Sequence, residues 1–304
     1  MPRRGLRSKI IAWSFIPTAI ILLAVALATF YAYQRVTEDL VIQRDEDLAR
    51  LSAGQLASEL TQYSTLLASL ARSPSMTSGD LTAQRRALGA AGNRLLVFDG
   101  GTFLLNTFGQ VTAGQPQRPE IMGSDWSDRA YFRAMLRSPG PIFSDMVGDG
   151  PGGAEVVVVA VPVTSESGEF LGTLCGAFRI SDSTVSALYG GLVKLRTREG
   201  GRAYVVDGHA RSIYHSDSQW TGYDLSRLPA VQPVLSGKLG HLRTRDINNE
   251  EIIASYAPVP GTSWGLVTEQ SWEALLSSGQ PYRQVLLLLL GLGIVMPAVV
   301  VAFG

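Results

Sequence analysis

The chain has 304 residues, 26 of them basic and 26 acidic, so it carries no net charge and no basic footprint for nucleic acid. Cys175 is its only cysteine, which excludes an intrachain disulfide. Small secreted domains often depend on such staples, but the roughly 250 residues between the two apolar ends are enough to bury a core without one.

The first element in chain order is the apolar run Ile10–Tyr31, which contains no charged residue. A helix needs roughly 20 apolar residues to cross a hydrocarbon core about 30 Å thick. Arg3, Arg4, Arg7 and Lys9 precede the run with no acid among them, and short basic loops stay in the cytoplasm. Residues 1–9 are therefore expected to be cytoplasmic, 10–32 to span the membrane, and the following segment to lie outside. Setting those four cations aside leaves 22 basic residues against 26 acidic. Ala26-Leu27-Ala28 resembles a signal-peptide cleavage site, the competing reading. The run is longer than the usual apolar core of about 7–15 residues, and helical rhythm continues past it, which favours an uncleaved anchor.

Residues 33–74 form the next element. Val36, Leu40, Leu48, Leu51, Leu56, Leu60, Tyr63, Leu67 and Leu70 recur at spacings of three and four or their sums, the helical period. Joined to the first span, this predicts one helix of about 60 residues, ~90 Å at 1.5 Å per residue. Its apolar face must cover either the domain behind it or the same helix of a second subunit.

After Ser73 the texture becomes short β-rich runs punctuated by Gly, Pro, Asn and Asp: Leu95–Phe98, Glu155–Val163, Leu171–Ile180, Ala203–Val206, Glu251–Tyr256 and Gly265–Glu269. Such runs predict a mostly antiparallel sheet. They also repeat. "AMLRSPGPIFSDM", "GGAEVVVVAVPV" and "GEFLGTLCGAF" are echoed by "PVLSGKLGHLRTRD", "NNEEIIASYAPVP" and "GTSWGLVTEQ". Pro162 and Pro258 stand 96 residues apart, and Gly140 and Gly237 97 apart. A fixed offset of this size predicts two tandem modules, over 75–185 and 186–275, each a helix, strands, a loop-rich insertion and a three-stranded meander. A second charge-free run, Val285–Phe303, predicts another span over 283–304 that returns the chain to the cytoplasm. The 304 residues are thus expected to be the input half of a receptor whose output module lies elsewhere.

Candidate chemistry is densest in "WSDRAYFRAMLRSPGPIFSD", Trp126 to Asp145. Trp126, Tyr131, Phe132 and Phe143 surround Arg129, with Asp128 and Asp145 at the ends. Small-molecule pockets combine apolar walls with a few aimed polar groups. A guanidinium presents planar donors suited to a carboxylate, and aromatic faces hold an apolar body or a cation. The same residues also fit a plainer arrangement, in which Tyr131, Phe132, Met135 and Leu136 are the buried stripe of a short helix. Arg129–Asp128 is then a surface pair worth under ~1 kcal/mol. His209, His215 and Asp217 match no compact metal spacing, so no metal is expected. Asp207-Gly208 reads as a turn, and Glu250 and Glu251 as a charged hairpin. There is no nucleophile elbow, phosphate loop or zinc-protease motif, and no cofactor is expected.

Two spans, a long leading helix and two tandem α/β modules together resemble the double Cache (dCache) family of extracytoplasmic sensors of bacterial histidine kinases, chemoreceptors and cyclic-nucleotide cyclases. The resemblance covers nearly all of 10–303. It implies an α+β fold in which a long helix stacks two PAS-like modules with antiparallel sheets, the membrane-distal module holding a small metabolite. It also implies a receptor in the bacterial inner membrane. Amino-acid-binding members carry Arg-x-Trp-Tyr where this chain has Arg129-Ala130-Tyr131-Phe132. This makes Arg129, Tyr131, Phe132, Trp126, Phe143 and Asp145 the expected ligand-binding residues, with Arg133 and Arg179 as spare cations. Those members also place an aspartate on a late strand, whereas Gly172–Phe178 here has no acid. The expected ligand is therefore a carboxylate without an amine. The expected partners are that ligand, the membrane and a second copy of the chain. Two other classes stay open: a membrane-tethered envelope enzyme, and a structural ectodomain with no small ligand.

Overall fold

The computed structural model describes residues 5–137, 140–180 and 201–273, together with Leu188 and Gly291. Two compact units emerge: one comprises residues 1–44 and 271–304, the other residues 45–270. Helix α1, Gly5–Ala71, contains the first apolar run and Pro17. Among the residues whose side chains are described, no helix is long and apolar enough to cross a membrane. Much of Ile10–Tyr31, and all of Val285–Phe303 except Gly291, lies outside them.

The 45–270 unit is built on the second half of α1. Ala49, Ala53, Leu56, Leu60, Leu67 and Ala71 are buried, one face of a 3.6-residue repeat. Each buried leucine contributes about 1.5–3 kcal/mol relative to an exposed one. Leu48 and Leu51, which the periodicity placed on the same stripe, instead point to solvent, Leu51 with 65% of its surface exposed. Short helices α2 (Pro74–Thr77), α3 (Leu81–Ala90) and α4 (Gly92–Leu95) follow. Asp80 caps α3 by accepting from the backbone N–H groups of Thr82 and Ala83.

Two five-stranded antiparallel sheets come next. The first contains β1 (Gly101–Asn106), β2 (Val111–Gln115), β3 (Ile142–Phe143), β4 (Val156–Thr164) and β5 (Phe170–Arg179), in the order β2-β1-β5-β4-β3. Between β2 and β3 lies an insertion carrying α5, Ala130–Arg137. The second contains β6 (Arg202–Val206), β7 (Ser212–His215), β8 (Gly240–Arg245), β9 (Glu251–Pro258) and β10 (Gly265–Ser271), in the matching order β7-β6-β10-β9-β8. Its insertion carries α6, Val231–Leu235.

The two-residue period of a strand explains the cores. Val157, Val159, Val161 and Val163 of β4 face α1, while Val156, Val158 and Ala160 face the other way. The α1 side forms one continuous core that also takes Val205, Tyr214, Trp264 and Leu266 from the second sheet. Each outer sheet face has a separate core. One lies under α5, with Phe103, Trp126, Tyr131, Phe132, Met135 and Cys175; the other lies under α6, with Tyr204, Val206, Leu225, Val231, Val234 and Val267.

Leu95–Phe98 is not a strand. Leu95 ends α4, and Phe98 sits in the turn before β1 with its ring over Gly176, where a Cβ would stand 2.5 Å from the Phe98 ring. Phe98 plugs a notch in β5, while Leu96 is exposed.

The duplication extends beyond the meander. Asn106 and Asp207 each turn a hairpin by accepting two backbone N–H bonds, from Phe108 and Gln110 in one copy and His209 and Arg211 in the other. Asp125 and Asp224 accept from Ser127 and Ser226, and Trp126 and Leu225 donate their N–H groups to the carbonyls of Gly109 and Ala210.

Candidate functional site

The segment entering α5 is fixed before its side chains are considered. Trp126 is tied by its N–H to the Gly109 carbonyl, and the Arg129 N–H donates to the Trp126 carbonyl. Helix α5 then starts at Ala130 and turns Tyr131, Phe132 and Met135 onto the outer face of the first sheet. Trp126 packs edge-on against Phe103, with ring centroids 4.9 Å apart.

Arg129 lies over this aromatic floor, its Cζ 5.8 Å from the Trp126 ring centroid. Its guanidinium grips Asp149 with two bonds, Nε to Oδ2 at 3.1 Å and NH2 to Oδ1 at 2.7 Å. The Tyr131 hydroxyl donates to the same Oδ2 at 3.0 Å. The Asp149 side chain is 1% exposed and that of Arg129 35%, so the pair has a buried acid and a cation reaching solvent. Asp128 is 3.5 Å away on the exposed side. Burial, with Cys175 and Asp149 close by, pushes the Tyr131 hydroxyl far above its ordinary ionisation range, so it stays a donor. Burial likewise pushes up the Cys175 thiol, which therefore remains protonated.

Asp149 and Arg118 were not singled out by the sequence. Arg118, also buried, donates to the carbonyls of Asp149 and Gly150 and holds their loop in place. The only sequence signal for Asp149 was an acid inside a glycine-rich turn segment, "MVGDGPGG", which reads as solvated loop.

Of the expected ligand-binding residues, the structure brings together Trp126, Arg129, Tyr131 and Phe132. Phe143 and Asp145 lie elsewhere, in the seam between the two sheets. Phe143 packs edge-on against Trp264 at 6.4 Å. Asp145 accepts from Gly208 N at 2.8 Å and Ser263 Oγ at 2.6 Å, and pairs with His209 Nδ1 at 3.1 Å. The fit at Gly208 is tight, since a Cβ would lie 3.1 Å from both Asp145 Oδ1 and Ser263 Cβ. The seam continues with Met146 N donating to Asp207, the Arg211 guanidinium donating to the Met146 carbonyl, and Trp264 Nε1 donating to the Ser144 carbonyl at 3.1 Å.

Asp145, Asp207 and His209 also bring ligand-type atoms within 4.8 Å of one another. Asp207 is already satisfied by backbone N–H groups of Met146, His209 and Arg211, with the Arg211 guanidinium 3.6 Å away. That set fits a hydrogen-bonded joint better than a metal shell. His215 Nδ1 lies 2.9 Å from the Asp217 carbonyl, and burial lowers its pKa, keeping the ring neutral.

The Cache domain model of the double-Cache type (dCache_1) matches residues 34–278, most of the chain. The chain belongs to the double-Cache family of Cache domains. Among solved structures, it is similar to the ligand-binding domain of the Pseudomonas fluorescens chemoreceptor CtaA in complex with L-isoleucine. That match has 15% identity and a TM-score of 0.60, over 82% of this chain and 98% of that one. It is similar to the same domain of the Pseudomonas aeruginosa PAO1 amino acid chemoreceptor PctB with L-Arg, at 19% identity and TM-score 0.59, covering 78% of this chain and 97% of that one. The extracellular domain of mmHK1S-Z3 matches at 17% identity and TM-score 0.59, over 79% of this chain and 97% of that one. A comparison with curated protein sequences returned no match.

Proposed function

We propose that this chain is the sensor region of a membrane-anchored receptor, which binds a small carboxylate-bearing metabolite outside the cytoplasm without transforming it. The observation that carries this reading is the Arg129–Asp149 pair. A partly exposed guanidinium, aimed from an aromatic floor, already holds one carboxylate in the two-bond geometry that a ligand carboxylate would adopt. The ligand takes Asp149's place on Arg129, and Asp149 keeps the Tyr131 hydroxyl.

A second reading rests on Asp149 itself. Displaced from Arg129, it is a buried acid beside the site, able to take a ligand ammonium. This favours zwitterions, and CtaA and PctB are complexed with amino acids.

Transmission follows from where Asp149 sits. It lies only three residues after Met146, and 144–146 are bonded to the second sheet's hairpins at Asp207, Gly208, Ser263 and Trp264. A ligand that re-aims Asp149 pulls on this segment, and tenfold preference for one arrangement corresponds to about 1.4 kcal/mol. The two apolar runs anchor the chain in the inner membrane, with residues 33–282 outside and the first module distal. Leu48 and Leu51, exposed on α1, provide the contact for a second copy. Cysteine crosslinking along α1 in membranes that yields only monomers removes the dimer.

A thermal-shift screen of residues 33–282 against carboxylates, amino acids, amines and sugars tests the function. A ligand at a hundredfold excess over Kd adds about 2.7 kcal/mol, a midpoint rise of roughly 5–10 °C for a domain of this size. Arg129→Ala is expected to abolish the shift while leaving folding intact. A silent screen on folded protein withdraws the small-ligand reading.

A further inference from the structure

The second module has an unusual carboxyl outside the site described above. Glu269, on β10, stands directly opposite Arg202 on β6 in the ladder, the position from which a cross-strand ion pair forms most readily. Arg202 does not make that pair. Its guanidinium turns away to Asp246 in the β8–β9 turn, whose other oxygen caps the backbone N–H groups of Asn248 and Glu250. Glu269 is thus left 5% exposed, with no cation bonded to it among the described residues. The fully buried Tyr204 hydroxyl faces the same carboxyl, close enough for each group to influence the other's ionisation. The hydroxyl can donate to the carboxylate, but a carboxyl buried to this degree without a bonded cation still gains by holding a proton.

We propose that Glu269 is a proton-binding site, a second input located in the membrane-proximal module, and that its ionisation draws Arg202 away from Asp246. When protonated, the carboxyl has both a donor and an acceptor to offer the Tyr204 hydroxyl, and Arg202 stays on the β8–β9 turn. When ionised, it becomes a second carboxylate competing for the same guanidinium. The ionisable and charged neighbours are few. Strand β6 contributes Arg202 and Tyr204; β7 contributes His215, stacked on Tyr204 with centroids 5.5 Å apart. The β8–β9 turn contributes Asp246 and, 4.0 Å from Arg202, Glu250. Strand β9 contributes Tyr256, whose hydroxyl lies beside Gly240. The neutral His215 supplies no compensating charge. Burial pushes the Glu269 carboxyl up to about 7, with the negative charge of Asp246 adding to the rise and the Tyr204 hydroxyl and Arg202 partly offsetting it.

The sign of the stability change follows by linkage. The folded chain holds this proton more tightly than the unfolded chain, whose carboxyl has its ordinary value of 4.5. The stabilisation is complete below the unfolded value, falls as pH rises, and is gone above about 7.

The test uses the full chain in lipid nanodiscs. Infrared titration of the wild type is expected to show a protonated-carboxyl band that disappears with a midpoint near 7, a band missing from Glu269→Gln. Tyr204→Phe, which removes the hydroxyl that favours the ionised form, is expected to move that midpoint upward. Amide exchange at Asn248 and Glu250 is expected to accelerate above the midpoint beyond the intrinsic effect of pH in the wild type only. A wild type with no such band between pH 5 and 9 overturns the proposal, and so does a Glu269→Gln variant that keeps the wild-type pH dependence at Asn248 and Glu250. Neither readout involves the Arg129 site, so this result stands or falls apart from the ligand assignment.

Discussion

The two modules share a hydrogen-bonded scaffold and differ in what they place on it. In both, an aspartate opens the insertion by accepting a serine N–H, and the next residue is tied back to the preceding hairpin. From there the chemistry diverges. Trp126 corresponds to Leu225, and Arg129 to Leu228, so the first module has a cation over an aromatic floor where the second has aliphatic packing. The second module instead gathers the partly exposed Arg202 with the buried Asp246 and Glu269. Backbone-directed polar residues persist through duplication because the turn needs them in any copy. Side chains aimed into the outer cores differ between the copies because no turn geometry depends on them.

The largest test of this comparison is Trp264→Ala. Trp264 is fully buried in the core along α1 that both sheets share, and it bonds to Ser144 across the seam. Its loss is expected to cost about 3–5 kcal/mol in a single unfolding transition measured by denaturant. Two separate transitions would mean that the modules are independent units. Next is Asp149→Ala, which strands Arg129 and the buried Tyr131 hydroxyl and is expected to cost about 1–3 kcal/mol. Calorimetry on this variant separates the two ligand readings, since amine-free carboxylates keep or gain affinity while zwitterions lose it. Asp145→Asn, in the seam, retains one acceptor and is expected to cost about 1 kcal/mol. Ligand affinity should stay within about threefold, and a loss as large as that from Arg129→Ala would put Asp145 in the pocket after all. The smallest effects belong to Asp125→Ala and Asp224→Ala, exposed copies of one turn. Their melting midpoints should fall slightly and by matched amounts, and unequal losses would show that the scaffold is less alike than its bonds.

Much of this architecture was readable because some residues have only one use. The valine run of β4 fits only a strand buried on both faces, and the repeat of Pro162 at Pro258 marked the duplicated meander. The first halves of the modules were harder to read. Strands β2 and β7 are short, and β8 in the second half of its module, Gly240–Arg245, is an edge strand carrying two arginines. Leu95–Phe98 misled because an apolar plug and an apolar strand have the same composition. In the candidate site, α5 and its aromatic stripe followed from local spacing. Asp149 and the seam position of Asp145 did not, because pairing across 20 residues of chain and docking onto a hairpin more than 60 residues away are tertiary facts.

Cys175 gives this protein a built-in clock. The chain's single thiol lies fully buried in the outer core with Tyr131 and Trp126, and its ionisation is suppressed. A thiol reagent can therefore reach it only when that core opens, so labelling rate counts openings of one defined region with no engineered probe. A molecule bound over Arg129 would slow that count in proportion to its occupancy, so the unmodified chain would report its own binding.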